Sequence, residues 1–292
     1  MGFSQKELEA MVATVPFWFH SFDLGNGVTT SGFKSANHLK NELQALRLPD
    51  LRGKSVLDIG AMDGFYSFEA ERRGAKRVVA LDHYAWSLDL AQHIKYLREC
   101  KERGVVPVPD QSGPHWRPSE LPGKRGYDTI HRALESRVET LVADFMEINV
   151  DDLGAFDVVL FLGVLYHMEN PLEALKRVAR VTGEMAVIET AAVVVPGYEH
   201  VAVCEFFESN ELDGDMSNWW APNEKALGGL CRAAGFRRVE TITGAPWRPL
   251  SDRVRSSAAS FLAQFSDYTK RRFSWQSIPG VHRYRAIVHA WK

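Results

Sequence analysis

The sequence predicts an α/β protein built on a doubly wound, Rossmann-like sheet. Three observations carry that expectation. Apolar runs of strand length alternate with helical periodicities from Ser55 onward. A glycine turn, Gly60-Ala61-Met62-Asp63-Gly64, joins the first strand to its helix. Acidic residues recur where strands should stop, at Asp58, Asp82 and Asp144.

In chain order, residues 4–14 have helical spacing, with Leu8, Met11 and Val12 on one face, and a second amphipathic helix covers residues 36–46. Between them lies the aromatic, glycine-rich stretch "VPFWFHSFDLGNGVTTSG". "SVLDIG" is the first strand and "GFYSFEAERRG" its helix, closed by Gly74. "RVVALD" is the second strand, followed by one helix through "WSLDLAQHIKYLREC". "VETLVADF" and "FDVVLFLGVL" are strands three and four, "PLEALKRVARVTG" a helix and "EMAVIET" strand five. Strands alternating with helices imply a parallel sheet covered on both faces. Residues 101–137 form a Pro/Gly-punctuated insertion, and 191–221 an excursion before the helix "PNEKALGGLCRAAG"; such loops beyond strand ends serve as lids or substrate walls. "RRVETIT" and "RYRAIVHAW" complete the strands, with a helix over 257–272 between them. The organisation expected is an N-terminal helical cap, 1–49, on a main domain, 50–292.

The chain has 292 residues, 45% hydrophobic and 25% charged, enough for one large domain or two small ones. No apolar run is long enough for a bilayer, and "MGFSQKELEAM" lacks a signal peptide's apolar core. Lys6 occupies the position where myristoylation needs Ser or Thr. Three dispersed cysteines, Cys100, Cys204 and Cys231, fit a reducing cytoplasm and exclude a C-x-x-C zinc ribbon. A cytoplasmic protein without a membrane partner is expected, and the sequence assigns no oligomeric state. Net charge is only −2, but from Arg232 to Lys292 twelve Lys and Arg face three acids. Such asymmetry marks either a surface for an anionic partner or a solvated basic face.

In a doubly wound sheet the ligand lies past the carboxyl ends of the strands. A dinucleotide site wants G-x-G-x-x-G, and here the middle glycine is absent, so Met62 and Asp63 would crowd a diphosphate. Asp58 suits an ammonium, Asp82 is placed for two ribose hydroxyls, and Asp144-Phe145 offers an acceptor and a ring to adenine. That set asks for adenosine joined to a cationic, amino-acid-like tail, which is S-adenosylmethionine. Alternatively Asp82 is a helix cap and Asp144 a surface carboxylate.

On these motifs the sequence resembles the class I S-adenosylmethionine-dependent methyltransferases over roughly residues 50–292. The resemblance implies about seven strands with the last antiparallel. "FDVVLFLGVLYHMENPLEAL" resembles the tRNA wobble-uridine carboxymethyltransferase branch, while "DIGAMDGFYSFEAERRGA" and "SNWWAPN" look more like bacterial sugar and small-metabolite methyltransferases. It further implies that Asp58, Gly60 and Gly64 line the methionine portion, Asp82 the ribose, Asp144 and Phe145 the adenine, and Leu162 and Gly163 the sulfonium. The product is S-adenosylhomocysteine. The tRNA branch carries a lysine before its first strand for the carboxylate of carboxy-S-adenosylmethionine. Here "PFWFHSFDLGNG" has none and the next cation is Lys34, so plain methyl transfer is favoured, with Arg283 or Arg285 as the other cations to watch.

Methyl transfer is an in-line displacement, and an alcohol acceptor benefits from a general base. His167, just past strand four, is the first candidate, with Tyr166 orienting donor or acceptor; the alternative is that both only pack the turn. Glu189, ending strand five, is either base, hydroxyl ligand or buried structural carboxylate. His20, Trp219, Trp220 and Arg285 are candidate acceptor contacts, with His200 a weaker one. The acids between Glu205 and Asp215 match no calcium loop, and no metal is expected.

The leading reading is O-methylation of a small-molecule hydroxyl, sugar or natural-product type. The second is a tRNA wobble-uridine (carboxy)methyltransferase, with nucleic acid as partner through the basic C-terminal third, including Trp247, Arg248, Arg253 and Arg255; Lys270-Arg271-Arg272 reads as a solvated helix end or a phosphate contact. The third is a non-catalytic adenosine-binding regulator.

Overall fold

The computed structural model describes residues 2–195, 197–245 and 281–292. The helix expected over 257–272, the group Trp247, Arg248, Arg253 and Arg255, and the run Lys270-Arg271-Arg272 lie outside the described residues.

Seven strands form one sheet: β1 (Ser55–Ile59), β2 (Arg77–Asp82), β3 (Glu139–Val142), β4 (Phe156–Leu162), β5 (Thr182–Val194), β8 (Arg238–Thr243) and β9 (His282–Trp291), in the order β3-β2-β1-β4-β5-β9-β8. The first five are mutually parallel, and β9 runs antiparallel between β5 and β8. This is the expected Rossmann-like sheet with its last strand reversed.

Every residue of β1 is buried, because both faces of the sheet are covered. Leu57 and Ile59 point into one core with Phe161 and Leu175; Val56 points into the other with Trp18, Phe68, Trp86 and Tyr127. The first core is closed by α7 (Pro171–Val181) and α8 (Glu224–Ala233). The second is closed by α3 (Phe65–Arg72), by α6 (Lys124–Ala133) and by the N-terminal residues, where α1 (Gln5–Ala13) and α2 (Ala36–Leu46) lie. The N-terminal segment therefore shares a core with the sheet through Val15, Trp18, Phe22 and Leu46.

Local chemistry sets the helix ends. Ser4 and Glu7 form a capping box on α1, Ser35 caps α2, and Asn223 caps α8. Gly74, at φ 87°, follows α3 and donates its N–H to Glu71.

Three elements differ from expectation. The helix after β2 is two, α4 (Tyr84–Ser87) and α5 (Leu90–Arg103): Leu88 is extended, bridges Trp116, and leaves Asp89 to cap a new start by accepting from Gln92 N–H. Strand five continues to Val194, since the β-branched run after Glu189 pairs with β9 along its whole length. The excursion after it contains a hairpin of its own, β6 (Cys204–Phe206) with β7 (Trp220–Pro222). No helix among the described residues is long and apolar enough to cross a membrane.

Candidate active site

Past the carboxyl ends of β1, β2 and β4 the chain makes a series of tight turns. Gly60, at φ 80°, sits so close to Val164 that an added Cβ would come 2.5 Å from Val164 Cγ2. Gly60 and Ala61 both donate their N–H groups to Leu81 O, at 2.8 and 3.1 Å. Met62 takes a left-handed conformation, φ 51°, unusual for a side-chain-bearing residue. It is held from both sides: its N–H donates to Asp82 Oδ2 at 2.8 Å, and its carbonyl accepts from Trp86 Nε1 at 2.5 Å.

Asp82 is 4% exposed, and its other oxygen accepts from Ala85 N–H at 3.0 Å. The main-chain amides of His83 and Trp86 also act on this carboxylate, which stands just before α4, whose cap position is His83. Asp58 is equally buried and accepts from Ser67 Oγ at 2.5 Å, behind the turn. Burial pushes both carboxyls up to about 6. Asp144 is half-buried and accepts from Met146 N–H at 2.8 Å. Phe145 turns inward, packed on Phe161 with the Arg177 guanidinium over its ring, so it braces the Asp144 turn from the core.

His20 is brought to this turn from the N-terminal segment. Its main-chain N–H donates to Asp63 Oδ2 at 2.8 Å, its Nδ1 pairs with Asp63 Oδ1, and its ring stacks on Phe65. The aromatic stretch is therefore clamped onto the glycine turn. Lys34 is committed elsewhere, to Glu42 at 2.8 and 3.0 Å.

The second group lies beyond β4. Gly163, at φ 74°, donates its N–H to Glu189 O, and an added Cβ would lie 3.5 Å from Arg285 Nη2 and 3.8 Å from Tyr166 Oη. Leu162 lies opposite Glu189 on β5. Both oxygens of Glu189 are taken by Arg285, whose guanidinium also lies 4.6 Å from the Tyr166 ring centroid. Arg283 pairs with Glu205.

The Tyr166 and His167 rings pack at 4.1 Å between centroids, tilted by 42°. His167 Nδ1 faces Ser217, 3.1 Å from its carbonyl oxygen and 2.9 Å from its hydroxyl. That hydroxyl donates to Asp215 Oδ1 at 2.7 Å, so toward His167 it can only accept. Two acceptors at Nδ1 place the neutral imidazole's proton there and leave Nε2 with the lone pair. Burial pulls the His167 pKa below its ordinary value.

Trp219 N–H donates to Tyr166 O at 2.8 Å, and Trp220 Nε1 donates to Glu169 O at 3.1 Å. Phe206, half exposed, faces both indoles, at 6.4 and 4.8 Å between ring centroids. His200 is exposed, away from these contacts.

The sequence reading missed the partners: Asp63, Ser217 and Asp215, Tyr84 and Trp86. Asp215 carried a signal as the last acid of a noted acidic stretch, Asp63 only as a residue of the glycine turn, and Ser217 only as the first residue of "SNWWAPN". The others gain meaning from contacts made across the fold.

The fold, the glycine turn and the buried acids at the strand ends define a class I S-adenosylmethionine-dependent methyltransferase. Residues 34–241 match the family described as "Methyltransferase domain", and the chain belongs to that family. It is 25% identical over 252 residues to the tRNA U34 carboxymethyltransferase of Helicobacter pylori (strain G27), covering 84% of this chain and 79% of that one. It is 27% identical over 201 residues to the enzyme of that name from Colwellia psychrerythraea (strain 34H), covering 68% of this chain and 49% of that one. The chain thus spans about half the length of the Colwellia relative. Among solved structures, the N-terminal domain of EvdMO1 in the presence of SAH and D-fucose aligns with a TM-score of 0.56 at 16% identity, over 99% of this chain and 97% of that one.

The residues present fit the donor. Asp82 is a buried carboxylate at the end of β2 whose partners are main-chain amides, an acceptor of the kind neutral ribose hydroxyls need. Asp58 adds a second buried carboxylate, bonded to Ser67.

Proposed function

We propose that the chain methylates a hydroxyl of a small polar acceptor, a sugar or sugar-like natural product, with His167 Nε2 accepting the acceptor's proton. The observation that supports this best is the Asp215–Ser217–His167 chain of hydrogen bonds. It orients a neutral, half-buried imidazole with one lone pair available, the state a general base needs. When bound, S-adenosylmethionine supplies an electrophilic methyl on a sulfonium and leaves as S-adenosylhomocysteine.

In this reading Asp82 binds the ribose, Asp144 the adenine amino group, and Gly60, Gly64 and Asp58 the methionine end. Leu162 and Gly163 border the sulfur. Tyr166 orients the reacting groups, Glu189 acts by fixing Arg285 rather than as a base, and His20 holds the N-terminal segment over the donor turn. Phe206, Trp219 and Trp220 offer flat apolar faces to a sugar ring. The partner is then a small molecule.

A second reading is favoured by Arg285. Its guanidinium beside Tyr166 and Gly163 could receive the carboxylate of a carboxylated donor, and the relatives named above are tRNA U34 carboxymethyltransferases. Against it, Lys34 is paired with Glu42, and the aromatic stretch supplies no other lysine.

The experiment is product analysis by mass spectrometry with the full chain. S-adenosylmethionine is offered with a panel of free and nucleotide-linked deoxysugars, D-fucose included, and separately with total tRNA, each also tested with carboxy-S-adenosylmethionine. A methylated sugar, lost in His167→Ala, supports the proposal. Modified tRNA without modified sugar replaces it with the second reading. Donor binding without any product leaves the regulator.

A further inference from the structure

We propose that His93, Asp110 and His115 form a binding site for a divalent first-row transition-metal ion, zinc foremost. The three are separate from the residues assigned above: His93 is on α5, Asp110 opens a short 3-10 turn in the insertion, and His115 follows it.

All three are more than nine-tenths buried, and one ligand atom from each lies within 4.8 Å of the others. Asp110 Oδ1 stands 3.3 Å from His93 Nδ1 and 3.3 Å from His115 Nε2. Metal–ligand bonds of about 2.0–2.1 Å in a tetrahedral zinc site separate neighbouring ligand atoms by about 3.3 Å. The same spacing is long for a strong N–H···O bond. Neither His93 Nδ1 nor His115 Nδ1 makes a hydrogen bond among the described residues. A buried polar atom without a partner is costly, so the bare His93 Nδ1 beside Asp110 Oδ1, the same oxygen that His115 reaches through Nε2, calls for an explanation. An ion would engage the bare His93 nitrogen and balance the buried carboxylate.

The surroundings hold the cluster in shape. The His115 ring lies against Gly113, where any Cβ would collide with it. The Tyr84 hydroxyl donates to Asp110 Oδ2, the outward oxygen, as partners of metal-bound carboxylates do. The donor set is chemically selective. Two imidazoles and one carboxylate suit zinc, cobalt, nickel or iron, whereas magnesium and calcium take oxygen. Three protein ligands leave a coordination position open.

The site also links the insertion to the proposed active site. Tyr84, bonded to Asp110, meets Ser217, the residue that holds His167. The ion would pin the insertion and Tyr84 against that serine. The residues considered for a metal from sequence, Glu205 to Asp215, are a different set, and two of them are engaged otherwise: Glu205 with Arg283 and Asp215 with Ser217.

The test uses the full chain, purified without a histidine tag and stripped with a chelator. Zinc and, separately, cobalt(II) are titrated back, with metal content read by mass spectrometry and cobalt geometry by visible absorption. X-ray absorption of the zinc form reports its ligands without any variant. Expected are a single ion per chain, a low-symmetry cobalt spectrum, at least two imidazole ligands, and affinity reduced about 10-fold or more in His93→Ala and in Asp110→Asn, with His200→Ala unchanged. No stoichiometric uptake, fewer than two imidazoles in the zinc form, or uptake undiminished in folded His93→Ala would overturn the proposal.

Discussion

Ser217 meets His167 Nδ1 twice, through its carbonyl oxygen at 3.1 Å and its hydroxyl at 2.9 Å. The contact joins residues fifty positions apart, one on the turn after β4 and one on the loop before β7. It decides which ring nitrogen carries the proton. His167→Ala is expected to lower kcat by about 10²–10⁴-fold while leaving S-adenosylhomocysteine affinity within a few-fold. Ser217→Ala keeps the carbonyl contact and should cost far less. Turnover and calorimetric binding, compared for the two variants, check this.

The pH dependence of kcat at saturating donor follows from the same ring. Because burial lowers the His167 pKa, the base form persists to more acidic pH than for an exposed histidine. The acid limb of the profile should lie below about 6.5. A limb above that value would remove His167 as the base.

Asp58 and Asp82 titrate in the opposite sense. Each is raised to about 6 by burial, against about 3.9 in an unfolded chain. Between those values the folded protein binds more protons than the unfolded one, so stability falls as pH rises from about 4 to 6 and is level above that. With the roles proposed for Asp58 and Asp82, donor binding favours the ionised carboxylates, so S-adenosylhomocysteine affinity should rise over the same interval with release of protons. Calorimetry in buffers of different ionisation enthalpy measures that release. Asp82→Asn should abolish the Asp82 share and weaken binding about 10-fold or more.

His20 and Asp63 form the joint between the N-terminal segment and the glycine turn at 60–64. Asp63→Ala leaves a buried imidazole and a main-chain N–H without their acceptor, which costs about 1–3 kcal/mol. Urea denaturation should show that loss. Donor affinity should fall as well, because the turn loses its brace. Retained affinity with reduced stability would make the pair purely structural.

Gly60 combines a φ of 80° with contact against Val164. Gly60→Ala is expected to destabilise by about 1–2 kcal/mol from the left-handed backbone alone, with a steric part added. Adding Val164→Ala should restore the steric part and leave the backbone part, a separation that thermal melts of the three proteins can read.

The sheet was legible in the sequence because strand and helix periods repeat locally, from "SVLDIG" to "EMAVIET", and the acids at strand ends follow from topology. The break at Leu88 was not, since it depends on a bridge to Trp116, twenty-eight residues on. Strand five ran past its expected end for a similar reason: Ala191 to Val194 pair with residues 282–285, a match no local pattern announces.

The site divides along the same line. Sequence alone determined the glycine turn at 60–64, the acids of β1 and β2, and the candidacy of Tyr166, His167 and Glu189, all of them set by position relative to a strand end. Only the tertiary structure gave those residues their states. It joined His20 to Asp63, spent Glu189 on Arg285, turned Phe145 into the core, and set Ser217 and Asp215 behind His167. It also drew His93, Asp110 and His115 together. The physical reason is that hydrogen bonding, burial and charge are properties of neighbours in space, and most of these neighbours lie far apart along the chain.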